Sequence, residues 1–84
     1  MTASKIDHRA PEPPYRQIAA DLIRDIEDGS LEADSPLPSE SELVERYGVA
    51  RNTVRNAVAY LRDQGYVYTV PKRGTYVKAR TAAD

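Results

Sequence analysis

The feature that most constrains the fold is a three-residue break, Gly48-Val49-Ala50, between two stretches of helical periodicity. Upstream of it, Ser39-Glu40-Ser41-Glu42 fits a capping box, with Ser39 as N-cap and Glu42 at the third helical position. Leu43, Val44 and Tyr47 then supply an apolar face, and Gly48 stops the helix. Downstream, Val54, Ala57, Val58 and Leu61 recur at i, i+3, i+4 and i+7. They predict a second helix over 51–64, ended by Gly65. Two helices joined by a three-residue turn containing glycine form the helix-turn-helix pattern.

A further helix is predicted ahead of this pair, from about Pro14 or Tyr15 to Asp28. Proline suits the first helical turn, where its missing N–H is not needed. Ile18, Ala19, Leu22, Ile23 and Ile26 make one apolar face, while Arg16, Asp21, Arg24, Asp25 and Asp28 cover the rest. Gly29 suits the position after the helix. Residues 30–38 read as a linker whose two prolines keep Ser35 and Leu37 extended, leaving room for no more than a short edge strand or bridge at Leu37. After Gly65 the period changes. Residues 66–70 and 75–77 are rich in β-branched and aromatic side chains, with a turn at 71–74 between them. This is a hairpin with a basic tip, Lys72 and Arg73, and a basic hairpin directly behind a helix-turn-helix is a wing. The expected fold is therefore α+β: a winged helix-turn-helix, three helices followed by a two-stranded β-hairpin. It occupies 15–79, between a flexible proline-bearing arm at 1–14 and a polar tail at 80–84.

Eighty-four residues suffice for one small domain. The absence of cysteine excludes a disulfide framework and a thiolate metal site, and fits a reducing cytoplasm. Residues 1–10 are polar and charged, so no signal peptide is expected, and no apolar run is long enough to span a bilayer. The single histidine, His8, falls in the arm, where neither a metal nor a catalytic role is expected. There is no nucleophile–base pairing and no glycine-rich phosphate loop, so neither an enzyme nor a cofactor is expected.

The formal net charge of −1 conceals a strong asymmetry. Residues 1–45 carry eleven acids against four bases, and residues 46–83 carry eight bases against one acid, Asp63. A polyanion would meet the second half and be repelled by the first. In a helix-turn-helix the second helix enters the major groove with its N-terminal residues at the base edges. Here that end reads Arg51-Asn52-Thr53-Val54-Arg55, with Arg51, Asn52 and Arg55 largely on the side away from Val54, Val58 and Leu61. Arginine can donate two bonds to guanine, asparagine can bond adenine both ways, and threonine can bond a phosphate or touch a thymine methyl. The wing tip can reach an adjacent minor groove.

Several of these segments together resemble one known family. Leu37-Pro38-Ser39-Glu40, Tyr47-Gly48-Val49-Ala50-Arg51-Asn52-Thr53-Val54-Arg55, Leu61, Gly65-Tyr66-Val67 and Arg73-Gly74-Thr75-Tyr76-Val77 look like the DNA-binding domain of the GntR family of bacterial regulators. The opening Tyr15-Arg16-Gln17-Ile18 is similar to that of the histidine-utilisation-repressor subfamily. The resemblance covers about residues 15–78. It implies a repressor that reads double-stranded DNA at a pseudo-palindromic operator. It assigns Arg51 and Arg55 as base readers, Ser39, Ser41 and Thr53 as phosphate contacts, and Lys72, Arg73 and Gly74 as the wing tip. Asn52 joins them on chemistry. Two residues depart from the family pattern. Ala50 stands where a capping Ser or Thr is common, and Lys72 where glycine is frequent. The family also carries a larger C-terminal domain for effector binding and dimerisation. The expectation is thus a fragment or a stand-alone short member, a monomer or weak dimer when free and a dimer on DNA.

The rival reading is a winged-helix protein-interaction module that does not bind DNA, working through the acidic first half. It gives no reason for eight bases on the other half.

Overall fold

The computed structural model describes residues 11–79. The expected tail, His8 and most of the expected arm lie outside the described residues. Three helices are followed by two strands: α1 (Pro14–Glu27), α2 (Glu40–Tyr47), α3 (Arg51–Asp63), β1 (Val67–Val70) and β2 (Gly74–Val77). The strands pair antiparallel, with Val67 opposite Val77 and Val70 opposite Gly74.

α1 opens on proline, and Arg16 N and Gln17 N both donate to Pro13 O. It begins at Pro14, the earlier of the two expected starts. Ile18, Ala19 and Leu22 are fully buried, and they pack with Val54, Ala57 and Leu61 of α3 and with Leu43 and Tyr47 of α2. Leu37, Val67 and Val77 close this core from the linker and the wing. Each fully buried aliphatic side chain contributes about 1.5–3 kcal/mol. In so small a domain, truncating any one of them removes a large share of the total stability.

Two side chains depart from the periodicity reading. Asp21 belongs on the solvent side of α1 by sequence, yet it is 6% exposed. The Tyr47 hydroxyl donates to its Oδ2 at 2.5 Å, and Arg24 donates to its Oδ1 at 2.6 Å. The last turn of α2 lies over that side of α1 and delivers a donor from 26 residues away. Val58, expected in the buried stripe, is only half-buried, because the stripe on α3 centres on Val54, Ala57 and Leu61.

The helix ends follow their local chemistry. α2 carries both bonds of the capping box: Glu42 N donates to Ser39 Oγ at 3.1 Å, and Ser39 N donates to Glu42 Oε1 at 3.3 Å. α3 has Ala50 at its N-cap and no side-chain cap. It stops at Asp63, one residue earlier than expected. Gly65 takes φ +83° and donates to Arg62 O, and Tyr66 N donates to Leu61 O at 2.9 Å. This six-to-one, five-to-two closure needs a left-handed residue, which glycine supplies without a steric cost. It also consumes the Tyr66 N–H, so β1 starts at Val67 and not at Tyr66 as expected.

The linker is more ordered than its prolines suggested. Asp34 N donates to Val77 O, Val77 N to Ser35 O, and Leu37 N to Thr75 O, at 2.7–2.9 Å. The bridge forms between Pro36 and Tyr76, one residue before the expected Leu37, whose side chain goes into the core. Tyr68 stacks on Tyr76 with centroids 5.9 Å apart, and its hydroxyl donates to Asp34 Oδ1. These bonds run along the outer edge of β2 and tie the wing to the helical body.

Candidate nucleic-acid interface

The recognition end of α3 is set by the short turn before it. Gly48 ends α2 in the left-handed region, at φ +65°. Val49 and Ala50 then carry the chain directly into α3, so the start of α2 and the start of α3 meet on one side. With Val54, Ala57 and Leu61 turned into the core, Arg51, Asn52 and Arg55 are exposed and Thr53 is half-buried. Ser39 and Ser41, at the start of α2, are exposed beside them.

One residue that sequence reasoning passed over sits at the centre. Glu40, the first residue of α2, accepts from Arg51 NH1 through Oε1 and from Arg55 Nε through Oε2, each at 3.2 Å. Arg51 NH2 also donates to Ser41 Oγ at 3.3 Å. Partial burial pushes the Glu40 carboxyl upward, but hydrogen bonds from Arg51 and then Arg55 outweigh it and hold the group below its ordinary range. In the sequence Glu40 is only an acid opening the first helix of the motif, with arginines at the first and fifth positions of the second; their meeting depends on how the two helices pack.

The wing completes the surface. Lys72, Arg73 and Gly74 are all exposed at the hairpin turn. Arg73 N donates to Val70 O at 3.0 Å across Pro71 and Lys72, and Lys72 takes φ +67°. This is a turn with proline at its second position and a left-handed residue at its third, where glycine is favoured. An open groove runs between Leu37, Ser39 and Glu40 on one wall and Arg73, Gly74 and Thr75 on the other. Of the nine residues singled out on sequence, Ser41, Arg51 and Arg55 meet around Glu40. Ser39 shares the groove with Arg73 and Gly74. Asn52 is exposed and Thr53 half-buried, and neither joins that network; Lys72 sits beyond the groove on the tip. Ser39 Oγ already accepts from Glu42 N, which leaves its O–H to donate.

Among the described residues no group of His, Cys, Asp or Glu is arranged to hold a metal, and no helix is long and apolar enough to cross a membrane. A helix-turn-helix with an outward arginine-bearing second helix, and a basic hairpin alongside, defines the winged helix-turn-helix class of DNA-binding domain.

Residues 14–77 match the family described as bacterial regulatory proteins, gntR family, and the chain belongs to it. It is 43% identical over 72 residues, 86% of its length, to the HTH-type transcriptional repressor NagR of Bacillus subtilis. It spans about 30% of the length of that curated relative. Among solved structures it resembles YtrA from Sulfolobus acidocaldarius, a GntR-family transcription factor. That match has a TM-score of 0.84 and 39% identity, and covers 95% of this chain and 84% of the other. It also resembles the DNA-binding domain of AraR in complex with operator ORX1, with a TM-score of 0.79 and 30% identity, covering 92% of this chain and 99% of the other.

Proposed function

We propose that this domain brings a transcription repressor to a pseudo-palindromic operator in double-stranded DNA, in the cytoplasm, with one protomer on each half-site. α3 lies in the major groove, where Arg51, Asn52 and Arg55 face base edges. Ser39, Ser41 and Thr53 approach the phosphates, and the wing carries Lys72, Arg73 and Gly74 to the adjacent minor groove. The observation that carries this reading is the outward pair of arginines one turn apart at the open end of α3. Side chains four residues apart share a helix face and reach neighbouring base pairs. The name of NagR, a repressor, and the operator complex of AraR support the direction of the reading. As in those relatives, the work is binding and not catalysis.

The test is affinity for a duplex selected from random sequence and for a scrambled duplex, measured over a salt series. With about five to eight phosphates neutralised, log K should fall against log[salt] with a slope of about −4 to −7 per protomer. Arg51→Ala or Arg55→Ala should cost about 1–3 kcal/mol on the selected duplex and far less on the scrambled one. A flat salt dependence would remove the DNA reading and favour a protein-docking module. Equal losses on both duplexes would make α3 a phosphate anchor and end the base-reading assignment.

A further inference from the structure

We propose that Glu40 is a specificity-determining residue of this interface. Its carboxylate holds Arg51 and Arg55 in one shared arrangement, and its charge offsets part of their attraction to phosphate. The arginine pair is thereby made to respond to base edges more than to duplex DNA in general. The inference rests on the base-reading role proposed above for those two arginines.

Each Glu40 oxygen receives one arginine, Oε1 from Arg51 NH1 and Oε2 from Arg55 Nε. Arg55 is engaged through Nε alone, so both of its terminal amino groups stay available to form the fork that pairs with guanine O6 and N7. Arg51 uses one hydrogen on NH1 for Glu40 and one on NH2 for Ser41. A second hydrogen on each nitrogen is left over. The carboxylate thus orients both side chains without using up the donors that face outward. The arginines are 48% and 62% exposed and Glu40 is 41% exposed, so a duplex can reach the cluster as it stands.

Glu40 is not needed for the cap at the head of α2. The capping box there belongs to Ser39 and Glu42, and Glu42 supplies a second acid to the first turn. Partial burial pushes the Glu40 carboxyl upward, and the hydrogen bonds from Arg51 and Arg55 outweigh it, so the group is held as the anion that both guanidinium groups face. Two long, rotamer-rich side chains are thereby ordered before DNA arrives, which lowers the ordering cost of forming the correct complex. Meanwhile one negative charge lies between two positive ones, so this corner presents a net charge of about +1 to a passing backbone instead of about +2. Non-specific affinity follows charge. Specific affinity follows donor geometry. One carboxylate therefore weakens the first and preserves the second.

The experiment compares the parent chain with Glu40→Gln, Arg51→Ala and Arg55→Ala, using the selected and scrambled duplexes over the same salt series. Glu40→Gln should bind the scrambled duplex more tightly, with a salt slope steeper by about one. The ratio of selected to scrambled affinity should fall about tenfold, since two bidentate contacts lose their fixed geometry. An unchanged melting profile should accompany this. If Glu40→Gln tightens both duplexes equally, Glu40 only subtracts charge and the proposal is overturned; an unchanged or increased ratio overturns it as well. If the arginine variants lose affinity for the selected duplex alone while the Glu40→Gln ratio stays at the parental value, base reading stands and only the Glu40 inference fails. Equal arginine losses on both duplexes would end both.

A second measurement needs no variant. In the free parent chain the Arg55 Nε–H resonance should be shifted from that of free arginine and exchange slowly with water. A free-arginine position with fast exchange would mean that no clamp exists in solution, and the proposal would fall.

Discussion

Replacing Tyr47 with phenylalanine keeps an aromatic ring in the core and removes only the hydroxyl whose hydrogen bond Asp21 accepts. Tyr47 is 1% exposed and Asp21 6% exposed, so water cannot easily replace that hydroxyl. The Oδ2 contact is short, at 2.5 Å, while Arg24 remains on Oδ1. A hydrogen bond to a charged, buried acceptor contributes about 1.5–3 kcal/mol. In a domain of this size each kcal/mol shifts Tm by about 4–8 °C, so Tyr47→Phe should lower Tm on the order of 10 °C. The assay is urea denaturation and thermal melting of the parent, Tyr47→Phe, Asp21→Asn and the double variant. Asparagine retains an oxygen that accepts from the phenol but carries no charge. When Asp21→Asn is already in place, adding Tyr47→Phe should therefore cost only the about 0.5–1.5 kcal/mol of a neutral bond. The pair also has a pH signature. Burial, and then the hydrogen bond to Asp21, raise the Tyr47 phenol above its ordinary value of 10.0. Below that ordinary value both folded and unfolded chains keep the proton. Above it the unfolded phenol ionises while the folded one does not, so stability falls as pH rises. The gap between parent and Tyr47→Phe should narrow on that limb. A Tyr47→Phe variant within about 0.5 kcal/mol of the parent would refute the reasoning, because a buried bond to a charged acceptor is not worth so little.

Two other substitutions separate fold from binding. Ala50→Ser supplies the side-chain acceptor that the N-cap of α3 lacks, at a residue already held in extended backbone (φ −67°, ψ 151°). Denaturant melts should show a gain of up to about 1 kcal/mol, and no gain would mean that the hydroxyl does not reach the first-turn N–H groups. Lys72→Gly relieves a left-handed backbone that costs a side-chain-bearing residue about 1–2 kcal/mol, offset by about 0.5–1 kcal/mol of extra chain entropy in the unfolded state. Stability should hold or rise slightly while affinity for every duplex drops and the salt slope weakens by about one. A preserved slope would take Lys72 off the phosphates.

The order of elements was legible in the sequence because the signals for it are local. A serine three residues before a glutamate makes both capping-box bonds within one turn, so Ser39 and Glu42 could be paired on paper. Gly65 announced the end of α3. Lys72 stood out only against the family pattern, which often has glycine there, and its left-handed backbone became visible in the structure. The outward placement of Arg51 and Arg55 followed from the 3.6-residue period alone.

Tertiary structure decided everything that joined one element to another. Periodicity gave Asp21 to solvent, since nothing near it in the chain reveals that Tyr47 will arrive from the end of α2. Glu40 looked like an ordinary acid in a first helical turn. Its two partners lie 11 and 15 residues away and reach it only because a three-residue turn folds the start of α3 against the start of α2. The linker at 34–37 likewise became an edge to the wing only once β2 stood beside it to exchange hydrogen bonds. Caps, turns and helical stripes are arrangements among chain neighbours, readable from spacing. Buried polar pairs and bridging charges depend on which faces meet, and that is settled when the core closes around Leu22, Leu43 and Leu61.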